Sequence, residues 1–128
     1  MIDGVSSNIQ ALSALGVSQA VTADNIANIN TDGYQTARVT LETGQGGTGV
    51  NVQQITRDQS PGSIYYENRP VETENGGYTQ EYTAVETSNV DLAVQMVHMI
   101  RDQHAYSANI VAIRTQDELV GSVLDMTA

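Results

Sequence analysis

Residues 88–124 read SNVDLAVQMVHMIRDQHAYSANIVAIRTQDELVGSVL, and this stretch decides the fold. Positions at alternating steps of four and three stay on one side of an α-helix. The resulting stripe contains Leu92, Met96, Met99, Gln103, Tyr106, Ile110, Ile113, Asp117, Val120 and Leu124. At about 1.5 Å per residue, a helix over residues 89–125 is roughly 55 Å long. Ser88, followed three residues later by Asp91, predicts an N-cap and capping box at its start.

A second helix is predicted over residues 3–29, again with one apolar stripe. The stripe contains Ile2, Val5, Ile9, Leu12, Gly16, Gln19, Ala23 and Ile26. The turn residues that follow end the helix, and Gly33 is suited to a left-handed conformation. The rest of the chain is too short to cover two such stripes, so we expect them to pack on each other and on further copies. The predicted assembly interface comprises Ile9, Leu12, Ala23, Ile26, Leu92, Met96, Met99, Tyr106, Ile110, Ile113, Val120 and Leu124.

Between the helices, short β-prone runs alternate with turn signals. Strands are predicted at residues 36–42, 49–55, 64–66 and 78–83, and turns at residues 44–49, 60–62, 68–70 and 75–77. The predicted fold class is α+β, with two long terminal helices around a small β-rich middle of hairpins and loops. The predicted divisions are residues 1–34, 35–87 and 88–128, with the two terminal helices forming one α-helical domain.

The composition argues against several classes of function. The chain of 128 residues has a formal net charge of −10, with fifteen acidic residues, five arginines and no lysine. A nucleic-acid interface needs a basic face, and so does attraction to an anionic membrane surface. No run is long enough to predict a transmembrane helix. The absence of cysteine excludes disulfides and thiolate metal sites.

No motif in the chain predicts catalysis, a metal or a cofactor. Residues 44–49 match the dinucleotide fingerprint G-x-G-x-x-G, but a strand-like run follows where the fingerprint requires a helix, which favours a hairpin loop. His98 and His104 point about 240° apart on a helix, so they cannot form a metal-binding pair. No serine lies in a nucleophile elbow. We therefore expect a structural subunit and not an enzyme.

Two stretches resemble a known family. TADNIANINTDGY at residues 22–34 resembles the N-terminal signature of bacterial flagellar axial proteins, and the run from Glu86 through YSAN at residues 106–109 resembles their C-terminal signature. The short middle is similar to that of the proximal rod proteins, and the C-terminal helix is similar to that of the distal rod protein. The matching positions are Asn25, Ala27, Asn28, Thr31, Gly33, Tyr34, Ser88, Asn89, Val90, Asp91, Tyr106, Ala108 and Asn109.

The resemblance implies a structural subunit of the basal-body rod. Its terminal helices would pair as an antiparallel coiled coil, and many copies would form a helical tube that transmits torque from motor to hook. Its partners would be copies of itself, other rod and hook proteins, and the flagellar type III export apparatus. Export without a cleaved signal peptide would place it in the periplasm. The alternative is a soluble coiled-coil adaptor or export chaperone, against which the strand-rich middle argues.

Overall fold

A computed structural model describes residues 2–127. Along this part of the sequence, one α-helix precedes and one follows two antiparallel β-hairpins. Helix α1 spans Ile2–Ala27 and helix α2 spans Leu92–Thr127. Between them lie β1 (Ala37–Thr43), β2 (Val50–Arg57), β3 (Ile64–Glu72) and β4 (Tyr78–Glu86). The predicted α+β class is confirmed. No helix within this range is both long and apolar enough to cross a membrane.

The first hairpin packs on α1. Strands β1 and β2 pair from Ala37 with Arg57 to Thr43 with Val50, and the register shifts once after Thr40. Residues 44–49 form the connecting loop, as predicted, and three of its glycines have positive φ. The loop lies against α1, where a Cβ at Gly44 would come within 3.2 Å of Gln10 Oε1. A following helix, which phosphate binding would require, is absent from this part of the chain.

The second hairpin is longer than predicted. Strands β3 and β4 pair without interruption from Ile64 with Glu86 to Glu72 with Tyr78, and the predicted turn around Gly76 is confirmed. The turn predicted at residues 68–70 is wrong, because these residues continue β3 opposite residues 80–82. Proline is tolerated in an edge strand, where alternate N–H groups have no ladder partner, and both strands of a two-stranded sheet are edges.

Helix α2 begins later than predicted, so Ser88 is not its N-cap. The helix starts at Leu92, and Asp91 caps it by accepting a hydrogen bond from the Val94 backbone N–H at 3.1 Å. The Ser88 hydroxyl instead accepts from the Val90 N–H at 3.2 Å, two residues on. Residues 88–91 remain outside the helix because the side chain of Asn89 is bound to neighbouring loops, as described below.

The two helices lie antiparallel along a seam of polar and small residues. Asn25 Nδ2 donates to Gln95 Oε1 at 3.0 Å, and Ser18 Oγ donates to Asp102 Oδ2 at 2.5 Å. A Cβ added to Gly4 would lie 2.7 Å from the Gln116 amide nitrogen. These contacts lie seven and fourteen residues apart on both helices, and by this spacing we expect Ala11 opposite Asn109. We call these four pairs the polar ladder: Asn25–Gln95, Ser18–Asp102, Ala11–Asn109 and Gly4–Gln116.

The predicted apolar stripes flank this ladder instead of forming its centre. They meet on the same side of the helix pair, where a shallow groove is lined by Gln19, Ala23, Met99 and Gln103. Because Gln116 lies opposite Gly4, α2 continues past the start of α1 by roughly two turns. This overhang carries exposed apolar side chains at Leu119, Val120, Val123 and Met126.

Two glycines with open surroundings are expected to respond oppositely to alanine. Nothing lies within 4 Å of an added Cβ at Gly16 or Gly33, but only Gly33 has a positive φ, of 67°. Gly33→Ala should therefore lower the free energy of unfolding by roughly 1 kcal/mol through backbone strain. Gly16→Ala, inside α1, should raise it by roughly 0.5–1 kcal/mol. Urea unfolding followed by circular dichroism measures both, and equal signs would contradict this assignment.

Candidate assembly interface and signature junction

The side chain of Asn25 joins three elements at the end of α1. Its Oδ1 accepts from the Ala37 N–H at 2.8 Å, and its Nδ2 donates to the Ala37 carbonyl at 2.8 Å. The amide thus makes the two hydrogen bonds to Ala37, the first residue of β1, that the backbone of a neighbouring strand would make. The same Nδ2 donates to Gln95 in α2. Asn25 is only 1% exposed, so these bonds replace water completely.

Asn89 has the equivalent role before α2. Its Oδ1 accepts from the backbone N–H and the hydroxyl of Thr36 at 2.7 and 2.8 Å. Its Nδ2 donates to the carbonyls of Asp58 and Ser60 at 2.9 and 2.7 Å. Its backbone N–H donates to the Tyr34 carbonyl at 3.2 Å. One amide therefore connects the segment before β1, the segment after β2 and the approach to α2.

Residues 24–37 and 86–95 thus form one hydrogen-bonded unit, which we call the signature junction. Gly33 donates its N–H to the Glu86 carbonyl at 2.8 Å, and its positive φ turns the chain toward that contact. Tyr34 donates its hydroxyl to Asp24 Oδ2 at 2.9 Å, and the Arg57 guanidinium lies 5.8 Å from its ring centre. The junction brings together the two ends of the sequence that the signatures mark.

The junction also has a set of local contacts at its exposed edge. Asn28 Nδ2 donates to the Asp24 carbonyl at 2.9 Å, and Thr31 Oγ1 donates to Asn28 Oδ1 at 3.1 Å. Asp32 binds Arg69 of β3 at 3.1 Å and accepts from the Tyr65 hydroxyl at 3.2 Å. These contacts connect the second hairpin to the junction. Among the remaining signature positions, Ala27 and Ala108 are exposed, and Val90, Tyr106 and Asn109 are half-buried.

Residues of the predicted assembly interface fall into two groups by exposure. Half-buried against the rest of the chain are Leu12, Ile26, Met99, Tyr106, Ile110 and Ile113. Exposed to solvent are Ile9, Ala23, Leu92, Met96, Val120 and Leu124. The exposed apolar side chains are large, with Met96 at 53% and Leu124 at 63%. Their involvement in assembly stays a prediction.

None of the ladder positions belongs to the predicted apolar stripes. Four of them are buried polar residues at the contact between the helices, namely Ser18, Asn25, Gln95 and Asp102. Asp102, 2% exposed, also accepts two hydrogen bonds from Arg101 at 2.9 and 3.0 Å. The available signal was the recurrence of a polar residue every seven positions in α2, at residues 95, 102, 109 and 116. Because these residues are polar, they do not contribute to the apolar periodicity of the helix.

A polar cleft of about 230 Å³ lies beside the ladder, between α1, β1 and α2. His98 and Arg101 line it together with Ser18 and Gln95, whereas His104 is exposed on α2. The histidines are thus apart, as their spacing predicts. Among the described side chains, no three His, Cys, Asp or Glu residues are grouped so that they could hold a metal ion.

Both ends of the chain thus form one helix pair that keeps large apolar side chains exposed on its flanks. Residues 7–35 match the family described as "Flagella basal body rod protein" and residues 83–126 match "Flagellar basal body rod FlgEFG protein C-terminal". The chain is 25% identical, over an alignment 142 positions long, to the flagellar basal-body rod protein FlgC of Bacillus subtilis (strain 168), and the match covers 91% of each chain. The chain belongs to the flagellar basal-body rod protein family.

Removing the Asn25 amide should destabilise the subunit far more than removing another signature amide. Asn25→Ala leaves the Ala37 peptide groups and Gln95 without their partners, so we expect a loss of about 3 kcal/mol or more in the free energy of unfolding. Asn28→Ala removes only local contacts and should cost roughly 1 kcal/mol or less. Denaturant unfolding of both variants checks this, and similar losses would show that Asn25 does not have the role described.

The Tyr34 phenol is expected to make stability depend on alkaline pH. Burial, and then the hydrogen bond to the Asp24 carboxylate, raise its pKa above the ordinary value of 10.0, while Arg57 opposes the shift. Because the folded state binds this proton more tightly, the stabilisation is present at neutral pH and is lost as the pH rises through the folded pKa. The free energy of unfolding should therefore fall more in wild type than in Tyr34→Phe between about pH 9 and pH 11. Parallel losses in the two proteins would refute the linkage, and Tyr78→Phe controls for removing an exposed phenol.

Proposed function

We propose that this protein is a structural, non-enzymatic subunit of the flagellar basal-body rod, where copies pack into a helical tube that transmits torque from motor to hook. One observation carries this proposal: large apolar side chains remain exposed along the helix pair and on the overhang of α2. Because most of these side chains are already about half buried, covering the rest of each on assembly would contribute about 1 kcal/mol. Contacts between unlike surfaces of successive copies do not close on themselves and so generate a filament.

The helix pair would be the tube-forming part of the subunit. We infer that α1 and α2 pair as a coiled coil, since the contacts between them are spaced by seven and fourteen residues. The terminal segments 1–34 and 88–128 would form this α-helical domain, and residues 35–87 would form a separate β-rich one. The hairpins would then lie at the surface or contact neighbouring copies, other rod proteins or hook proteins. Such a middle is not expected in an all-helical adaptor or export chaperone.

The subunit would reach the periplasmic rod through the flagellar type III export apparatus, without a cleaved signal peptide. Family membership supports a position in the basal body. The extent of the match with the Bacillus relative favours a short rod subunit, since it covers 91% of both chains. The family description matched by residues 83–126 is that of FlgE, FlgF and FlgG proteins, so the distal-like character of α2 remains part of the proposal.

A charged residue on the exposed apolar flank should block assembly without unfolding the subunit. Met96→Asp places a carboxylate on a half-exposed flank of α2, where a neighbouring copy would have to desolvate it. Thr115→Asp adds the same charge at an exposed position of the same helix and is the matched control. In a strain lacking the chromosomal copy, Thr115→Asp should support swimming and Met96→Asp should not.

The protein itself should co-purify with detergent-extracted basal bodies. Wild type and Thr115→Asp should be found there by immunoblot, while Met96→Asp should be lost from basal bodies and retain the circular dichroism spectrum of wild type in isolation. Absence of the wild-type protein from basal bodies, with recovery in the cytosol bound to an export substrate, would favour a chaperone instead. Normal swimming of Met96→Asp would remove this flank from the interface.

A further inference from the structure

The polar cleft beside the helix pair has walls from three elements and a volume of about 230 Å³. Because one water molecule occupies about 30 Å³ of the liquid, the cleft has room for a small ligand of several atoms. Its lining comprises Ser18, Val21 and Thr22 of α1, Ala37, Arg38 and Val39 of β1, and Gln95, His98 and Arg101 of α2.

Two buried side chains bring unused hydrogen-bond donors to this cleft. Thr22 and Gln95 are each only 4% exposed. Gln95 Oε1 accepts from Asn25, which identifies Nε2 as the other end of the amide. Neither this nitrogen nor the Thr22 hydroxyl has a hydrogen-bond partner among the described residues. In the same part of the chain only Gln116 Oε1 is both unpartnered and sealed from solvent, so the two donors open to the cleft. Buried donors are normally satisfied, which points to a ligand that accepts from them.

Basic side chains line the cleft together with these donors. Arg38 and Arg101, two of the five arginines of the chain, contribute to the lining with His98, whereas no described Asp or Glu does. Arg38 follows Thr36 by two residues, and the Thr36 hydroxyl donates to Asn89 just before α2. Because side chains alternate along a strand, Arg38 extends toward α2 as well. In a chain with a net charge of −10, this is a local concentration of positive charge.

Two carboxylates near the cleft leave donors of the arginines available. Asp102 accepts from Nε and Nη2 of Arg101, so that Nη1 remains for an occupant of the cleft. Asp58 attracts Arg38 electrostatically, but its own hydrogen bond comes from the Ser60 N–H at 2.9 Å. An anionic acceptor would gain from hydrogen bonds to guanidinium groups, which are stronger than those between neutral groups.

We propose that this cleft is a binding site for a single oxyanion, either a carboxylate or a phosphate group. The hydroxyl of Thr22 and the amide nitrogen of Gln95 donate to it from the buried side, and Arg38 and Arg101 donate from the exposed side. Inorganic phosphate in solution and an acidic side chain of a second copy offer the same chemistry. The site belongs to the free subunit and does not rest on the proposed function.

Titration of the isolated subunit with inorganic phosphate, and separately with acetate, tests the site at constant ionic strength. In NMR spectra, the resonances of the Gln95 side-chain amide and the His98 ring should shift in a saturable way. Thr22→Val removes one donor at nearly constant volume, and Arg38→Gln removes one charge. Each should raise the Kd for phosphate by about tenfold, because each removes a hydrogen bond to a charged acceptor.

Matched variants separate this site from general attraction of anions. Thr115→Val and Arg114→Gln make the same changes at exposed positions of α2 outside the cleft and should retain the Kd of wild type. Thr22→Ser retains the hydroxyl and should also retain it. Arg38→Gln, at an exposed position of β1, decides the matter if Thr22→Val does not fold by circular dichroism.

Sedimentation equilibrium of the wild-type subunit then identifies the source of the oxyanion. If carboxylates of a second copy occupy the cleft, phosphate should weaken self-association, and if the ligand is a free anion, phosphate should leave self-association unchanged. The site is overturned if neither phosphate nor acetate gives a saturable shift, or if the folded cleft variants bind phosphate as tightly as wild type. It is also overturned if the variants outside the cleft lose affinity equally. None of these outcomes depends on rod assembly, which the basal-body experiment measures separately.

Discussion

The buried amide of Asn25 is the interaction on which the rest of the fold depends. It satisfies both peptide groups of Ala37 and, at the same time, Gln95 at the start of α2. Because no water reaches it, each partner would be left without a hydrogen bond if the amide were removed. Asn89 repeats the device on the other side of the junction. Two side chains of the same chemistry thus connect the N-terminal helix, the first hairpin and the C-terminal helix over a sequence separation of more than sixty residues.

The distribution of polarity separates contacts within the subunit from contacts outside it. Inside, the helices meet through hydrogen bonds and small residues, which are specific but contribute modestly to stability. Outside, side chains such as Met96, Val97 and Ile100 are more than half exposed and offer a non-directional driving force for association. This arrangement leaves large apolar side chains exposed along the helix pair.

The sequence predicted the helices and the glycine-rich hairpin turns, because apolar periodicity and turn chemistry are local. Asn25 and Asn89 both lie in the signatures noted in the sequence, but the sequence did not predict that the two signatures meet in one junction. The N-cap at Asp91 and the strand through Pro70 were missed. Ser88 and Asp91 each fit a helix start, and the choice depends on the distant partners of Asn89. Pro70 favours a turn in the sequence. It is tolerated within β3 because both strands of a two-stranded sheet are edge strands. The polar ladder was not predicted. Polar residues at every seventh position of α2 indicate a helix contact only when it is known which residues of α1 lie opposite them.

The overhang of α2 makes the two ends of the subunit chemically different. One end is the hydrogen-bonded signature junction, with its amides satisfied internally. The other is a single helix, roughly two turns long, with Val123 and Met126 exposed. Copies stacked end to end in one orientation would each present a junction in one direction and an uncovered helix end in the other. Any tube built in this way is polar along its axis, so its two tips differ in structure and would differ in the rate at which they accept another copy.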